Sequence, residues 1–138
     1  MANTVQCVEY YYTEVVDQPG VGAKILDALK ASRVNLVAYT GFPTAPRRAQ
    51  LDFVPSNQKA FVAAAKKAGI KLVGPKTAFL IQGDDRIGAV ASVVNKLGEA
   101  RINITAMHAI AAGGRRFGAI LWVKPRNVAK AAEVLGAK

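Results

Sequence analysis

The segment Asp17-Gln18-Pro19-Gly20 recurs 68 residues later as Asp85-Arg86-Ile87-Gly88, and this repeat decides the fold. When the sequence is aligned with itself at that spacing, the halves match without a gap, and six of the 20 positions from 17 to 36 are identical. Unrelated sequences of ordinary composition would share about one or two. Arg33 and Asn35 are among the identities, matching Arg101 and Asn103. The chain therefore contains an internal duplication.

Each half is predicted to form strands and helices in the order βαββαβ. Aromatic and β-branched residues at 10–16 favour a first strand, and apolar residues at helical spacing after Asp17 favour a helix. The first half continues with strands 34–39, 48–54 and 70–73, a turn or loop at 40–46, and a second helix capped by Ser56 or Asn57 and ended by Gly69. In the second half the predicted strands are 77–82, 101–110 and 116–123, and the predicted helices are 87–98 and 127–135.

The second half ends after its second helix, so its own last strand is missing. That strand is either absent or supplied from elsewhere in the chain, for instance by residues near Val5. Gly74-Pro75 is the only plausible boundary, which predicts domains 1–74 and 75–138. The predicted class is α+β, with two ferredoxin-like units in tandem and the helices on one face of each antiparallel sheet. An incomplete sheet would leave an open edge, which predicts a homodimer.

Composition indicates an ordinary globular protein. The chain is 51% hydrophobic, which is enough apolar surface to form a core, and disorder is not expected. It has no apolar run of about 20 residues for a membrane helix, and its start does not resemble a signal peptide. Cys7 is the single cysteine, which excludes an internal disulfide and a cysteine-built metal site. We therefore expect a soluble, cytoplasmic protein that does not contact the membrane.

The charge balance favours anionic partners, because 19 Lys and Arg oppose 9 Asp and Glu, for a net charge of +10. RNA binding is the alternative function. The segment 115–122 matches part of the third-strand pattern of RNA-recognition domains, but it has Arg116 in place of the glycine and Ala119 in place of the central stacking ring. The corresponding segment 47–54 keeps only the basic start.

Catalysis has little support in the sequence. His108 and Cys7 are each the only residue of their type, and nothing in their surroundings marks either as reactive. There is no phosphate-binding glycine loop and no metal-ligand spacing. The predictions are that the protein is not an enzyme, that it has no catalytic or metal-binding residues, and that it needs no cofactor.

Each half resembles the ACT domain, a small regulatory module found beside enzymes of amino-acid biosynthesis. The similar features are Asp-x-x-Gly after the first strand, an amphipathic helix, and Arg-hydrophobic-Asn-hydrophobic at 33–36 and 101–104. The resemblance covers residues 8–74 and 76–137. It implies a non-catalytic module that binds an amino acid at interfaces between paired units and that regulates a partner enzyme.

Within this resemblance, the first turn of each repeated helix is the expected ligand site, because exposed N–H groups there favour a carboxylate. Asp17 and Asp85 are expected to cap these helices. Gly20 and Gly88 either leave room for the ligand or allow helix and sheet to pack closely, and Asn35 and Asn103 are either ligand contacts or turn residues. The candidate ligand-binding residues are Asp17, Gln18, Gly20, Val21, Asn35 and Leu36 in the first half, and Asp85, Arg86, Gly88, Ala89, Asn103 and Ile104 in the second.

The two candidate sites are not expected to be equivalent. The first turn reads Pro19-Gly20-Val21-Gly22, whereas the second reads Ile87-Gly88-Ala89-Val90. Arg86 also adds a cation where the first half has the neutral Gln18. An anionic ligand group is therefore favoured at the second turn.

Overall fold

The computed structural model describes residues 3–138 and has the α+β architecture that the sequence predicts. Its strands are β1 (Thr4–Val16), β2 (Leu36–Ala45), β3 (Arg48–Pro55), β4 (Val73–Asp84), β5 (Ile104–Ala111) and β6 (Arg116–Val123). Its α-helices are α1 (Val21–Ala31), α2 (Gln58–Lys67), α3 (Ala89–Glu99) and α4 (Val128–Leu135), the last preceded by a short 3-10 helix at Pro125–Asn127. None of the helices within residues 3–138 combines the length and the apolar character needed to cross a membrane.

The chain divides into two compact units. The continuous unit is Glu9–Lys76, and the split unit combines the described residues up to Val8 with Thr77–Lys138. The division at 76/77 lies two residues beyond the boundary suggested by Gly74-Pro75, and it falls inside a strand. The strand predicted at 70–73 is wrong except at Val73, because residues 70–72 are not in a strand; β4 begins at Val73 and continues through Gly74-Pro75 into the segment predicted at 77–82.

In the continuous unit, β3 lies between β2 and β1 and is antiparallel to both. The prediction of a turn or loop at 40–46 is wrong, because β2 extends to Ala45 through Gly41, Phe42 and Pro43. The strand is outermost in the sheet and pairs only with β3. Its other edge has no strand to bond to, so a proline, which has no N–H group, is tolerated in it. A shift in register between Pro43 and Ala45 absorbs the irregularity.

The core of the continuous unit is aromatic. Phe53 of β3 is 0% exposed, and its ring centroid lies 5.4 Å from that of Phe61 on α2 and 5.6 Å from that of Tyr39 on β2. Tyr11 of β1 also contacts Phe61, with 5.4 Å between centroids, and Leu29 of α1 packs into the same cluster. Tilted ring pairs at such distances add to the stabilisation from burial alone. The two helices are thereby held against the sheet.

A buried carboxylate lies on β3 of the same unit. Asp52 is 5% exposed, and Gln50 donates a hydrogen bond from Nε2 to its Oδ1 over 2.8 Å. The pKa of Tyr10 is raised to about 12, mainly by burial and to a smaller extent by the charges of Asp52 and Tyr12. Since an ionised group inside a protein needs hydrogen-bonding partners, the Gln50 amide helps to keep this carboxylate in place.

In the split unit, β6 lies between β4 and β5 and is antiparallel to both. No strand follows α4 in the described part of the chain; the start of β1 supplies the missing one. Val5 is 8% exposed within the core of this unit. The backbone N–H of Lys138 donates to the carbonyl of Val5 over 3.0 Å, and that of Cys7 donates to the carbonyl of Lys138 over 2.9 Å. Of the two alternatives left by the sequence, the supply of a strand near Val5 is confirmed.

This arrangement removes the open edge from which the sequence predicted a homodimer. The position of the missing strand is taken by residues of β1, so the outermost strands are instead β2 in the continuous unit and β5 in the split unit. All residues of β5 are exposed or half-exposed, and Ile110 is 72% exposed. A dimer would have to use such a strand or another surface.

The repeated arginines at 33 and 101 end helices in a left-handed conformation. Their φ angles are 60° and 58°. In α1 the N–H of Arg33 bonds to the carbonyl of Lys30 and that of Val34 to the carbonyl of Leu29, and the same pattern follows α3 at Arg101. These paired bonds form the Schellman motif, whose left-handed position is usually glycine. The motif places the following asparagine just before the second strand of each half.

We expect Arg101→Gly to stabilise the protein by about 1 kcal/mol. The left-handed conformation costs a residue with a Cβ about 1–2 kcal/mol, and the greater freedom of glycine in the unfolded chain offsets part of the gain. Lys96→Gly, inside α3, is the matched control and should destabilise by about 1 kcal/mol. Urea unfolding measures both changes, and a loss of stability in Arg101→Gly would show that the side chain has contacts worth more than the strain.

Candidate functional site

The two repeated turns connect a strand to a helix, and a glycine occupies the N-cap position in each. Gly20 precedes α1 with φ 90°, Gly88 precedes α3 with φ 80°, and neither helix start has a side-chain cap. The prediction that Asp17 and Asp85 cap these helices is therefore wrong. Each aspartate lies three residues before the glycine, and its backbone N–H instead donates to the carbonyl of Arg47 or Arg115, over 2.9 and 2.8 Å respectively. The first N–H of each helix, that of Val21 or Ala89, donates to the backbone carbonyl of Gln18 or Arg86, over 3.3 and 3.2 Å, and no side chain caps the N–H groups that follow.

The two capping glycines are needed for their backbone conformation. A Cβ added at Gly20 or Gly88 would meet nothing within 4 Å, so the alternative that these glycines allow close packing of helix and sheet is wrong. Their positive φ angles are the conformations that other residues rarely adopt. Open space therefore remains beside both glycines.

We expect Gly88→Ala to destabilise the protein by about 1 kcal/mol, because alanine at this position must adopt a left-handed conformation. The matched control is Gly98→Ala in the same helix, where the backbone is helical and a Cβ again meets nothing within 4 Å. That change should stabilise by about 0.5–1 kcal/mol. Thermal or urea unfolding of the two variants would contradict this account if both shifted in the same direction.

A pocket of about 350 Å³ lies at the second turn, and we call it the Asp85 pocket. It brings together four of the six candidate residues of the second half: Asp85, Arg86, Gly88 and Ala89. The rest of its lining comes from α3, the end of β5 and the start of β6: Val90, Ala91, Ala109, Ile110, Ala111 and Phe117. The pocket lies entirely within the split unit.

Charges of both signs are present at the Asp85 pocket. Asp85 and Arg86 are adjacent in sequence, and both are exposed. The neighbouring turn carries Arg115 and Arg116, and Arg116 donates from Nη1 to Oδ1 of Asp84 over 2.8 Å. A zwitterion entering the pocket would therefore meet a carboxylate, a guanidinium group and the uncapped start of α3.

The other two candidates of the second half, Asn103 and Ile104, do not line the Asp85 pocket. They follow the C-terminal end of α3, whereas the pocket lies at its N-terminal end. A helix of 11 residues is about 16 Å long. The first half shows the same separation between the Asp17 turn and Asn35. Within a unit, the structure does not bring the two parts of either candidate set together.

Asn35 and Leu36 line a different depression, of about 730 Å³, at the end of α1. Its other lining residues include Leu26, Lys30 and Arg33. The carbonyl of Asn35 accepts hydrogen bonds from the backbone N–H of Ser56, over 3.0 Å, and from its Oγ, over 3.2 Å. These bonds tie the start of β2 to the segment before α2, so the backbone of Asn35 has a structural role.

The first repeated turn, which contains Asp17, Gln18, Gly20 and Val21, has a neighbour that sequence reasoning missed. A Cβ added at Gly22 would lie 3.2 Å from the hydroxyl oxygen of Tyr39, so this hydroxyl lies across the first turn of α1. Burial raises the pKa of Tyr39. The second half has Val90 and Met107 at the matching positions, and the two sites therefore differ in shape as well as charge.

Sequence reasoning also missed the strand residues of the Asp85 pocket: Ala109, Ile110, Ala111 and Phe117. They come from the ends of β5 and β6 on either side of the predicted hairpin turn, which the positive φ angles of Gly113 and Gly114 confirm. The pairing of Asp84 with Arg116 explains their place, because it brings this hairpin beside the Asp85 turn.

The alternative of RNA binding requires exposed aromatic rings on β6, and the structure buries them. Phe117 is 5% exposed and lies in the core of the split unit, and Trp122 is 7% exposed. Stacking on bases requires rings with an open face. The aromatic residues of β6 therefore offer no stacking surface.

The two residues considered for nucleophilic catalysis lie in ordinary positions. Cys7 is exposed on β1, and His108 on β5 packs edge-on against Trp122 with 5.9 Å between ring centroids. Within residues 3–138, no three or more His, Cys, Asp or Glu side chains group in a way that could hold a metal ion.

Comparison with solved structures identifies proteins with a similar fold. One is protein BT0572 from Bacteroides thetaiotaomicron, with a TM-score of 0.82 and 18% identity over 96% of this chain and 88% of that chain. Another is the ligand-free regulatory subunit of aspartate kinase from Thermus thermophilus, with a TM-score of 0.64 and 18% identity over 98% and 93% of the two chains. The regulatory subunit from Thermus flavus has a TM-score of 0.63 and 20% identity over 98% and 94%.

These similarities concern the fold. No family model matches the chain, and no curated protein sequence matches it. The chain covers most of each structure named above, so the likeness extends over nearly the whole of those proteins.

Proposed function

We propose that the protein is a non-catalytic regulatory module built from two ACT-type, ferredoxin-like units, and that it binds a free amino acid. The Asp85 pocket carries this proposal, because it combines opposite charges with an uncapped helix start. The similarity in fold to regulatory subunits of aspartate kinase supports the regulatory role. Such a module acts in the cytoplasm on a partner enzyme.

In the proposed complex the ligand carboxylate lies at Gly88-Ala89 and Arg86, and its ammonium group lies at Asp85. A charged hydrogen bond contributes about 1.5–3 kcal/mol, and the end of a helix about 0.3–1 kcal/mol more. The equivalent contacts at the first turn are Asp17, Gly20 and Val21, with Gln18 in place of the cation. The second turn is therefore the stronger site.

The asparagines enter the proposal through a second copy of the chain. Asn35, Leu36, Asn103 and Ile104 are too far from the turns of their own units, so we propose that they close the site of an adjoining unit in a homodimer. A ligand held between two copies favours their association by the same free energy with which association favours the ligand. Light scattering should detect a dimer whose population rises with ligand, and a monomer at every ligand concentration would contradict this arrangement.

The test of the proposed function is a thermal-shift screen of the whole chain against the twenty amino acids. A ligand that binds only the folded state raises the unfolding midpoint. The amide of the effective amino acid should bind at least about tenfold more weakly than the acid, because it lacks the carboxylate charge. Asn103→Ala should weaken both binding and dimer formation, and the absence of any shift in the screen would refute the proposal.

A further inference from the structure

The polar groups of the Asp85 pocket are few. Of its ten lining residues, only Asp85 and Arg86 carry polar side chains, and the other eight are glycine or apolar residues. The two ends of an amino acid, its carboxylate and its ammonium group, already need one partner of each sign. After these are matched, the pocket has no polar side chain left for a third ligand group.

The apolar part of the lining surrounds the remaining space. Ala109 and Ala111 at the end of β5, which lie on the same face of the strand, line the pocket together with Val90 and Phe117. Ala109 and Ala111 are exposed, so a ligand that covers them removes apolar surface from water. A polar ligand side chain against this wall would lose its hydrogen bonds to water without replacement.

The size of the lining residues fits a ligand side chain of moderate length. Three of the apolar residues, Ala89, Ala109 and Ala111, are small, and the pocket volume is about 350 Å³. A branched aliphatic group can be accommodated there beside the backbone of the ligand. Resting on the function proposed above, we infer that this pocket selects amino acids with aliphatic side chains of the size of valine, leucine, isoleucine and methionine.

The first half does not repeat this combination. The residue that matches Arg86 is Gln18, and the residues that match 109–111 are Gly41, Phe42 and Pro43. The site at the first turn therefore lacks the cation, and Gly41 and Pro43 replace the two alanines of its wall. The inference includes one selective site per chain, in the split unit.

The selectivity is tested by calorimetry of the whole chain with leucine, isoleucine, valine and methionine, each compared with asparagine, glutamate, lysine and threonine. The aliphatic ligands should bind at least about tenfold more tightly, which is the scale on which a mismatch of one group discriminates in such a pocket. Equal or tighter binding of the polar ligands would overturn the inference and leave the proposed function intact. Binding of none of the eight would overturn the inference, and the screen of all twenty amino acids would then decide the proposed function on its own.

Two variants locate the selectivity at the Asp85 pocket. Ala109→Asp places a carboxylate at an exposed position of its wall and should weaken leucine binding at least about tenfold while improving lysine binding. Ala106→Asp is the control, because Ala106 is exposed on the same strand but outside the pocket. Unchanged preference in Ala109→Asp, or the same change in both variants, would overturn the inference.

Arg86→Gln tests the restriction to one site, since it gives the second turn the residue of the first. It should weaken leucine binding at least about tenfold, the loss expected for one charged hydrogen bond. Arg126→Gln is its control, because Arg126 is an exposed arginine of the same unit that does not line the pocket, and it should leave the affinity and the stoichiometry of one ligand per chain unchanged. A stoichiometry of two, or the same loss of binding in both variants, would contradict a single site at the second turn.

Discussion

Val5→Asp is expected to destabilise the split unit by at least about 3 kcal/mol. Val5 is 8% exposed and packs in the same core as Phe79, Ile81 and Leu121. An aspartate there places a carboxylate without a partner among apolar side chains, or else pulls the start of β1 out of the core. Since Trp122, the only tryptophan, lies in this unit, its fluorescence during urea unfolding reports the change.

Thr4→Asp provides the control for this prediction. Thr4 is the neighbouring residue on β1 and is exposed, so the same charge there should change the stability by less than about 0.5 kcal/mol. Equal effects of the two substitutions would mean that the start of β1 does not complete the core of the split unit.

Phe53→Ala is expected to cost the continuous unit about 3–5 kcal/mol, the range measured when a large buried aromatic residue is reduced to alanine. Phe53 is 0% exposed and contacts the rings of Tyr39 and Phe61, so its removal leaves a cavity and breaks two ring pairs. The free energy of unfolding in urea, followed by far-ultraviolet circular dichroism, measures the loss.

Phe42→Ala is the matched control within the same unit, because Phe42 is 38% exposed on β2. Its removal should cost less than about 1 kcal/mol, since much of its surface is already in contact with water. If both phenylalanines cost the same, the aromatic core would not depend on Phe53 as the structure indicates.

Much of the fold could be predicted from the repeat and from the periodicity of apolar residues. The helix capped by Asn57, whose side chain accepts from the N–H of Ala60, was within reach because an asparagine precedes an apolar helical pattern. Helix α1 follows from the spacing of its apolar residues, although its cap is Gly20 and not the predicted Asp17. The extension of β2 through Pro43 could not be predicted locally, because it depends on pairing with β3 on one side only.

The turns of the candidate site were harder to predict. An aspartate before a helix is a good candidate for a cap, but Gly20 and Gly88 take that position because the chain bends at each glycine with a positive φ. The sequence does not reveal how many residues a turn contains before the helix begins. The residues of the Asp85 pocket from β5 and β6 likewise depend on the pairing of distant strands.

The position of Val5 also has a consequence for the order of events during synthesis. The continuous unit has all of its residues once Lys76 has left the ribosome, whereas the core around Val5 needs Ala131 and Leu135, near the end of the sequence. At about 5–20 residues per second, the start of β1 waits on the order of ten seconds for them. The strand β1, which is translated before the other described strands, is thus among the last to be enclosed, and chaperones have that interval in which to protect it.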